Sequence, residues 1–287
     1  ALISAGVRFI ATSEHQLRVF LDTPNRPSTV GVRINPPVGH GHNNRTNTGG
    51  VTSSFGIWHE LIPAIVSLAN DASVTIDTLH LHIGSGADPS VWGEVLEVAL
   101  KIVSQIETVT TLDIGGGFKV HRYGEEKEAD LAAILTMMAK RLEQYAADTG
   151  RRLHIEIEPG TFMVAHAGTL VAQVDDIVST GQDGFTFLRL NTGMNDFMRP
   201  TLYGSQHNIV VINESATVTD YVVVGHNCES GDILTPAPGD PETITTRRLK
   251  TATIGDEVRI FDTGAYGASM RARGYNAFPD AMEIMVV

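Results

Sequence analysis

Hydrophobic positions in the first half of the chain fall into short β-rich runs separated by longer stretches of helical period. The runs Val7–Ala11, Thr29–Asn35, Thr78–Ile83, Thr111–Ile114 and Leu153–Ile157 are rich in Val, Ile, Leu and Thr and predict strands. Helical patterns fill the gaps, most clearly Ser90–Val103 and Ala129–Thr149, the second stopping at Gly150. Alternation of the two signals implies parallel strands joined by helical crossovers. The later predicted strands run into polar or glycine-rich turns: Asn35-Pro36-Pro37, Gly84-Ser85-Gly86, Gly115-Gly116-Gly117 and Glu158-Pro159-Gly160. Polar residues collected at the C-terminal ends of successive strands are the layout of an α/β protein of the (β/α)8 TIM barrel type. A doubly wound sheet is the alternative, although a single switch point does not require so many decorated strand ends.

After Met163 the period changes. Alternating runs at Thr169–Val174, Phe187–Leu190, Asn208–Ile212, Tyr221–Val224 and Glu257–Phe261, with turns between them, predict a mainly antiparallel β domain. The expected organisation is residues 1–165 as a partial barrel and 166–287 as a C-terminal β domain. Ala1–Gly6 reads as the end of a helix entering a strand, so the chain is expected to start inside a domain.

Composition narrows the classes. The 287 residues are 42% hydrophobic and 19% charged, as in ordinary globular proteins. A formal charge of -12 argues against nucleic acid and anionic membranes as partners. Apolar stretches such as Leu61–Val66 are far too short to span a bilayer, and a cytoplasmic location is the expectation.

Candidate chemistry concentrates in the turns. Cys228 is the single cysteine, within Gly225-His226-Asn227-Cys228-Glu229-Ser230-Gly231-Asp232. A lone cysteine is usually a buried hydrophobe. These polar neighbours suit a turn instead, and leave the roles of proton donor or nucleophile. Gly115-Gly116-Gly117 lets backbone amides approach an anion, or is simply a flexible turn. Ser85 and Tyr266 offer hydroxyls that would complete a phosphate site. His80 and His82 are assigned to opposite faces of their strand, His82 to the mouth and His80 to the core as a hydrogen-bonded histidine. Glu158 is either a surface carboxylate or the partner of a cation. Arg199, four residues before Tyr203, offers a fork for a carboxylate, or is a surface arginine before a turn proline.

In order along the chain, Leu79–Ser85, Leu112–Phe118, Glu156–Gly160, Met198–Tyr203, Cys228–Asp232 and Gly264–Tyr266 resemble the motifs of the pyridoxal-phosphate-dependent decarboxylases of fold type III, the ornithine/diaminopimelate/arginine decarboxylase family. Single motifs are weak; the ordered set is specific and spans nearly the whole chain. The resemblance implies an alanine-racemase-like barrel, pyridoxal 5'-phosphate as cofactor, and a homodimer with shared active sites. His82 would stack on the cofactor ring and Glu158 would hold its pyridine nitrogen. Ser85, Gly115, Gly116, Gly117, Gly160 and Tyr266 would surround the phosphate. Cys228 would donate a proton in the neighbouring subunit's site, and Glu229 would meet the substrate's distal amine there. Arg199 and Tyr203 would bind the substrate's far end. The implied reaction is removal of the carboxylate from the D-configured centre of meso-diaminopimelate to give L-lysine.

Two departures stand out. The strands present correspond to the family's fourth to eighth, and the family's cofactor-anchoring lysine lies on its first. Of Lys101, Lys119, Lys127, Lys140 and Lys250, only Lys119 follows a barrel strand end, and it does not match that lysine. The chain alone is therefore expected to be poorly stable and inactive. Thr161 also stands where the family usually has an arginine. That loss makes D-lysine or D-ornithine, which lack a distal carboxylate, alternative substrates. A non-catalytic homologue is the remaining alternative.

Overall fold

A computed structural model describes residues 3–37, 39, 48–82 and 84–286. Ala1 and Leu2 of the expected helix end, and Ile83 of the third expected strand, lie outside the described residues. The chain divides into two compact units. One comprises Ala1–Lys119 and Lys127–Gly160; the other comprises Val120–Glu126 and Thr161–Val287. The grouping of 120–126 with the second unit has no counterpart in the hydrophobic pattern.

In the first unit, β1 (Ile10–Ala11), β2 (Thr29–Asn35), β4 (Thr75–His80), β5 (Thr111–Asp113) and β6 (His154–Glu156) pair in chain order, all parallel. The short β3 (Ile57–Trp58) pairs with the end of β2. Helices α1 (Glu14–Asp22), α2 (Ile62–Asp71), α3 (Pro89–Val103) and α4 (Leu131–Thr149) lie between them in sequence. Strand order that never reverses makes this an arc of a β/α barrel, not a doubly wound sheet. Among the described residues, β1 and β6 are each paired on one side only. Arg8 forms a two-pronged ion pair with Glu156 of β6, joining the two ends of the arc.

Alternation along the strands builds two faces. Val32, Leu79 and Leu112 pair across β2, β4 and β5 and are fully buried. The opposite face carries Arg33, His80, Asp113 and Glu156, matched in register across four strands. This face is polar at one level, where β4, β5 and β6 end. The helices are capped as the sequence dictates. Asp88 accepts from the N–H of Ser90 at the start of α3, and Asp130 from that of Ala133 at the start of α4. Arg151 donates to the carbonyls of Val103, Ile106 and Val109, satisfying acceptors at and beyond the end of α3.

In the second unit a six-stranded sheet runs in the order β13, β10, β8, β7, β14, β9. These are Arg247–Lys250, Val218–Val224, Thr186–Leu190, Thr169–Ser179, Glu257–Phe261 and Ile209–Ile212. Leu188, Leu190, Val223, Val258 and Ile260 form its core. The pairing is antiparallel except between β8 and β10, which run parallel. The intervening chain first forms α6 (Arg199–Tyr203) and β9 elsewhere in the sheet, and so permits a parallel return. Sequence periodicity missed α5 (Gly160–Val164), α6, the small hairpin of β11 (Pro236–Ala237) and β12 (Asp240–Ile244), and β13. Each is short and carries too few apolar positions to show a period.

Candidate active site

The turns after β4, β5 and β6 pack against one another through backbone. The N–H of Gly86 donates to the carbonyl of Gly117 (3.0 Å), and that of Glu158 to the carbonyl of Gly115 (2.9 Å). Gly115 and Gly117 have φ of +72° and +101°, a region that L side chains rarely adopt. A Cβ on Gly116 would overlap the carbonyl of Glu158, and one on Gly117 the carbonyl of Gly84. The triplet is therefore a requirement of close packing, not a loose turn. Trp92 of α3 stacks on Phe118 (4.2 Å between centroids) and donates to the carbonyl of Gly86 at 3.4 Å, tying both turns to the helix layer.

His82 joins this cradle. Its Nδ1 accepts from the N–H of Gly116 at 3.1 Å, so the proton of the neutral ring sits on Nε2. Burial, with Arg33 nearby, lowers its pKa to about 4. His80 departs from expectation twice. Residues two apart on a strand share a face, and His80 is close enough to lower the pKa of His82 further. His80 is buried, but its Nε2 has no hydrogen-bond partner among the described residues and lies 3.8 Å from Glu158 Oε2. Burial and then Arg33 lower its pKa to about 4, so the contact with Glu158 is not an ion pair at neutral pH.

Glu158 is half-exposed at the end of β6. Burial, followed by the charge of Asp113, raises its pKa. The two carboxyl groups share a hydrogen bond that raises the pKa of Glu158 and lowers that of Asp113. Asp113 in turn accepts from the N–H of Gly115 at 2.9 Å. Donor atoms of His80, Asp113 and Glu158 lie within 4.8 Å of one another. Arg33, His80 and Asp113 are site residues that sequence reasoning missed as participants. The shared register of Arg33, His80 and Asp113 was the available signal, but it requires knowing the strand pairing.

These histidines predict a pH dependence. A folded pKa of about 4 against an ordinary 6.5 means that the unfolded chain binds more protons between those values. Stability is then complete above pH 6.5 and falls as pH drops toward 4. His80→Asn should flatten that slope in urea denaturation series at pH 4.5 to 7. An unchanged slope would contradict the buried neutral state of His80.

In the second unit, α6 presents Arg199 and Tyr203. Arg199 is half-buried on a short helix closed by Gly204, so the alternative of a surface arginine before a turn does not hold. Its guanidinium lies 5.7 Å from the ring of Tyr203 and 6.0 Å from that of Tyr266. Burial, then the charge of Arg122, lower its pKa to about 10. Arg122, from the 120–126 segment, is itself buried and 3.7 Å from Glu126. Arg247 sits 3.4 Å over the ring of Tyr123. The Nε atoms of Arg122, Arg199 and Arg247 are buried without partners among the described residues. Arg122 lies within a basic and aromatic run, Lys119-Val120-His121-Arg122-Tyr123, that carried no recognised motif.

The 226–232 loop is built around Asp232. This buried carboxylate accepts from the N–H of Met194 (2.7 Å) and from the N–H and side-chain amide of Asn227 (2.9 and 2.7 Å). With Asp232 anchored inside, Cys228 and Glu229 are exposed. Cys228 is thus not a core hydrophobe. Gly160 is exposed, with nothing within 4 Å of a Cβ placed there.

Residues 4–165 match the family described as pyridoxal-dependent decarboxylase, pyridoxal binding domain. The chain is 37% identical to diaminopimelate decarboxylase of Buchnera aphidicola over 267 residues, 90% of this chain and 62% of that protein. It is 35% identical to the Escherichia coli K12 enzyme of that name, covering 89% and 61%. A crystal structure of diaminopimelate decarboxylase superposes with a TM-score of 0.86 at 33% identity, over 96% of this chain and 66% of that one. The crystal structure of diaminopimelate decarboxylase from M. jannaschii in complex with L-lysine gives a TM-score of 0.82 at 27% identity, over 96% of this chain and 63% of that one. The chain spans a little under two thirds of the curated relatives it matches. With a glycine cradle, a neutral histidine and a hydrogen-bonded carboxyl pair at the strand ends of a β/α arc, and with this match over most of that arc, the chain belongs to the pyridoxal-dependent decarboxylases.

Proposed function

We propose that the protein of which this chain forms part decarboxylates the D-configured centre of meso-diaminopimelate to give L-lysine, with pyridoxal phosphate. The observation that carries this reading is the backbone cradle Gly115–Gly117, closed by His82 and Ser85, with the Asp113–Glu158 pair on the adjoining strand ends. It fits the cofactor: the glycines bring bare backbone, with the Gly116 N–H held by His82 Nδ1, to the strand ends, and a carboxyl group beside them suits a ring nitrogen.

Bound pyridoxal phosphate supplies an electron sink for the carbon that loses its carboxylate. Gly116, Gly117, Ser85 and Tyr266 would hold the phosphate, and neutral His82 would cover the ring face. Glu158 would hold the proton at the ring nitrogen, with Asp113 and His80 behind it. Arg199, with Tyr203 and Arg122, would bind the distal carboxylate. Cys228 would return a proton to the reacting carbon, and Glu229 would pair with the distal amine. Exposure of both residues suits a loop that completes a second subunit's site in a homodimer. Thr161 favours a second reading, decarboxylation of D-lysine or D-ornithine; Arg122 beside Arg199 favours the dicarboxylate.

Carbon dioxide release from meso-diaminopimelate, D-lysine and D-ornithine separates the two readings. Turnover confined to the first supports the proposal, and preference for the others overturns it. Glu158→Gln should lower turnover about 10- to 100-fold, the loss of one charge-assisted contact. Wild-type rates in that variant would remove Glu158 from the mechanism.

A further inference from the structure

The candidate catalytic loop is held by a short turn near the end of the chain. Tyr275, Asn276 and Ala277 follow Gly274, and three of these four residues have left-handed backbone: Gly274 (φ 72°), Asn276 (φ 50°) and Ala277 (φ 61°). Asn tolerates that conformation, but Ala277 adopts it only where surrounding structure enforces it. Two contacts on the loop do so. Asn276 Oδ1 accepts from the backbone N–H of Cys228 at 2.7 Å, and the Tyr275 hydroxyl donates to Glu229 Oε2 at 3.0 Å. Adjacent residues of the turn thus grip adjacent residues of the loop.

Neighbouring contacts fix the turn in place. His226, two residues before Cys228, stacks on Phe278 at 3.6 Å with the rings 7° from parallel. Further on, the N–H of Ala281 donates to Asp196 Oδ1 at 3.1 Å, and Arg271 pairs with Asp280 and Glu283 at 3.3 Å. The other Glu229 oxygen, Oε1, accepts from the N–H of Gly231 at 3.1 Å and faces the Ser230 hydroxyl at 3.4 Å. Glu229 is therefore ionised and oriented from both sides. Its pKa is lowered, first by the Gly231 N–H and then by Tyr275, while that of Tyr275 is raised by the carboxylate.

We propose that the turn Gly274–Ala277 positions the catalytic loop, Asn276 by fixing the backbone of Cys228 and Tyr275 by aiming the carboxylate of Glu229. Neither residue touches the reacting atoms; each acts through its neighbour on the loop. The strained backbone is the means, since it turns two consecutive side chains toward one short segment. The inference rests on the reading of Cys228 as proton donor and Glu229 as the partner of the distal amine, and it specifies what sets their geometry.

Hydrogen–deuterium exchange at the Cys228 amide tests the first contact on the protein itself. The wild type should show protection that Asn276→Ala reduces at least tenfold and Asn276→Asp, which keeps an acceptor, retains. Unprotected exchange in the wild type would overturn the contact. The phenol titration of Tyr275, isolated as the difference from Tyr275→Phe, should move to lower pH in Glu229→Gln. No movement would overturn the second contact. In turnover of meso-diaminopimelate, Tyr275→Phe should raise KM several-fold with kcat little changed, whereas Asn276→Ala should lower kcat. Wild-type constants in both, while Cys228→Ala and Glu229→Gln are impaired, would refute positioning but leave the assigned loop roles standing. Wild-type constants in Cys228→Ala and Glu229→Gln would refute those roles instead.

Discussion

Gly117→Ala should abolish binding of pyridoxal phosphate and destabilise the first unit by about 2–4 kcal/mol, through left-handed strain and displacement of packed backbone. Gly117 has φ of +101°, and a Cβ there would overlap the carbonyl of Gly84. The obstruction is main chain, which cannot swing aside as a long side chain would. Relief requires the turns after β4 and β5 to separate, breaking the hydrogen bond from Gly86 to Gly117. The Trp92–Phe118 stack resists that movement. Gly150→Ala is the matched control, because its backbone is also left-handed (φ +73°) while nothing lies within 4 Å of its Cβ. Urea denaturation and cofactor titration by absorbance provide the two readouts. Equal stability and equal cofactor affinity in the two variants would show that the cradle is not tightly packed.

Cys228→Ala should slow product formation by on the order of 10²–10⁴-fold, the usual cost of removing a positioned general acid. The substitution should leave the melting temperature unchanged, because the thiol is exposed and the loop is anchored by Asp232 and Asn227 instead. Loss of the carboxylate and return of the proton are separate events. A rapid-quench experiment should therefore show release of about one equivalent of carbon dioxide per site, followed by slow appearance of lysine. Lysine formation at the wild-type rate would assign the proton to another group. A variant that also loses the first equivalent of carbon dioxide would place Cys228 earlier in the reaction.

Much of this protein was legible from residue order. Period and composition predicted five parallel strands in the arc, the two long helices α3 and α4, and five strands of the second sheet. Those features repeat over enough residues to show their period, and their caps, Asp88, Asp130 and Gly150, are local signals. The glycine triplet, Glu158, Arg199 and the Cys228 loop were also visible, because turn chemistry and an ordered set of motifs mark them in one dimension.

What the sequence could not contain was adjacency between distant segments. His80 was assigned to the core, yet it shares a register level with Arg33 and Asp113 and approaches Glu158. Arg122 carries no motif of its own; the grouping of 120–126 with the second unit, and its charge lowering the pKa of Arg199, exist only in the fold. Tyr275 and Asn276 lie 46 and 48 residues from Glu229 and Cys228, and only the folded turn gives them partners. The division has one physical cause. Propensity, capping and motif chemistry act within a few residues of chain, whereas desolvation, shared protons and the aim of a side chain depend on which strands and turns the fold brings together.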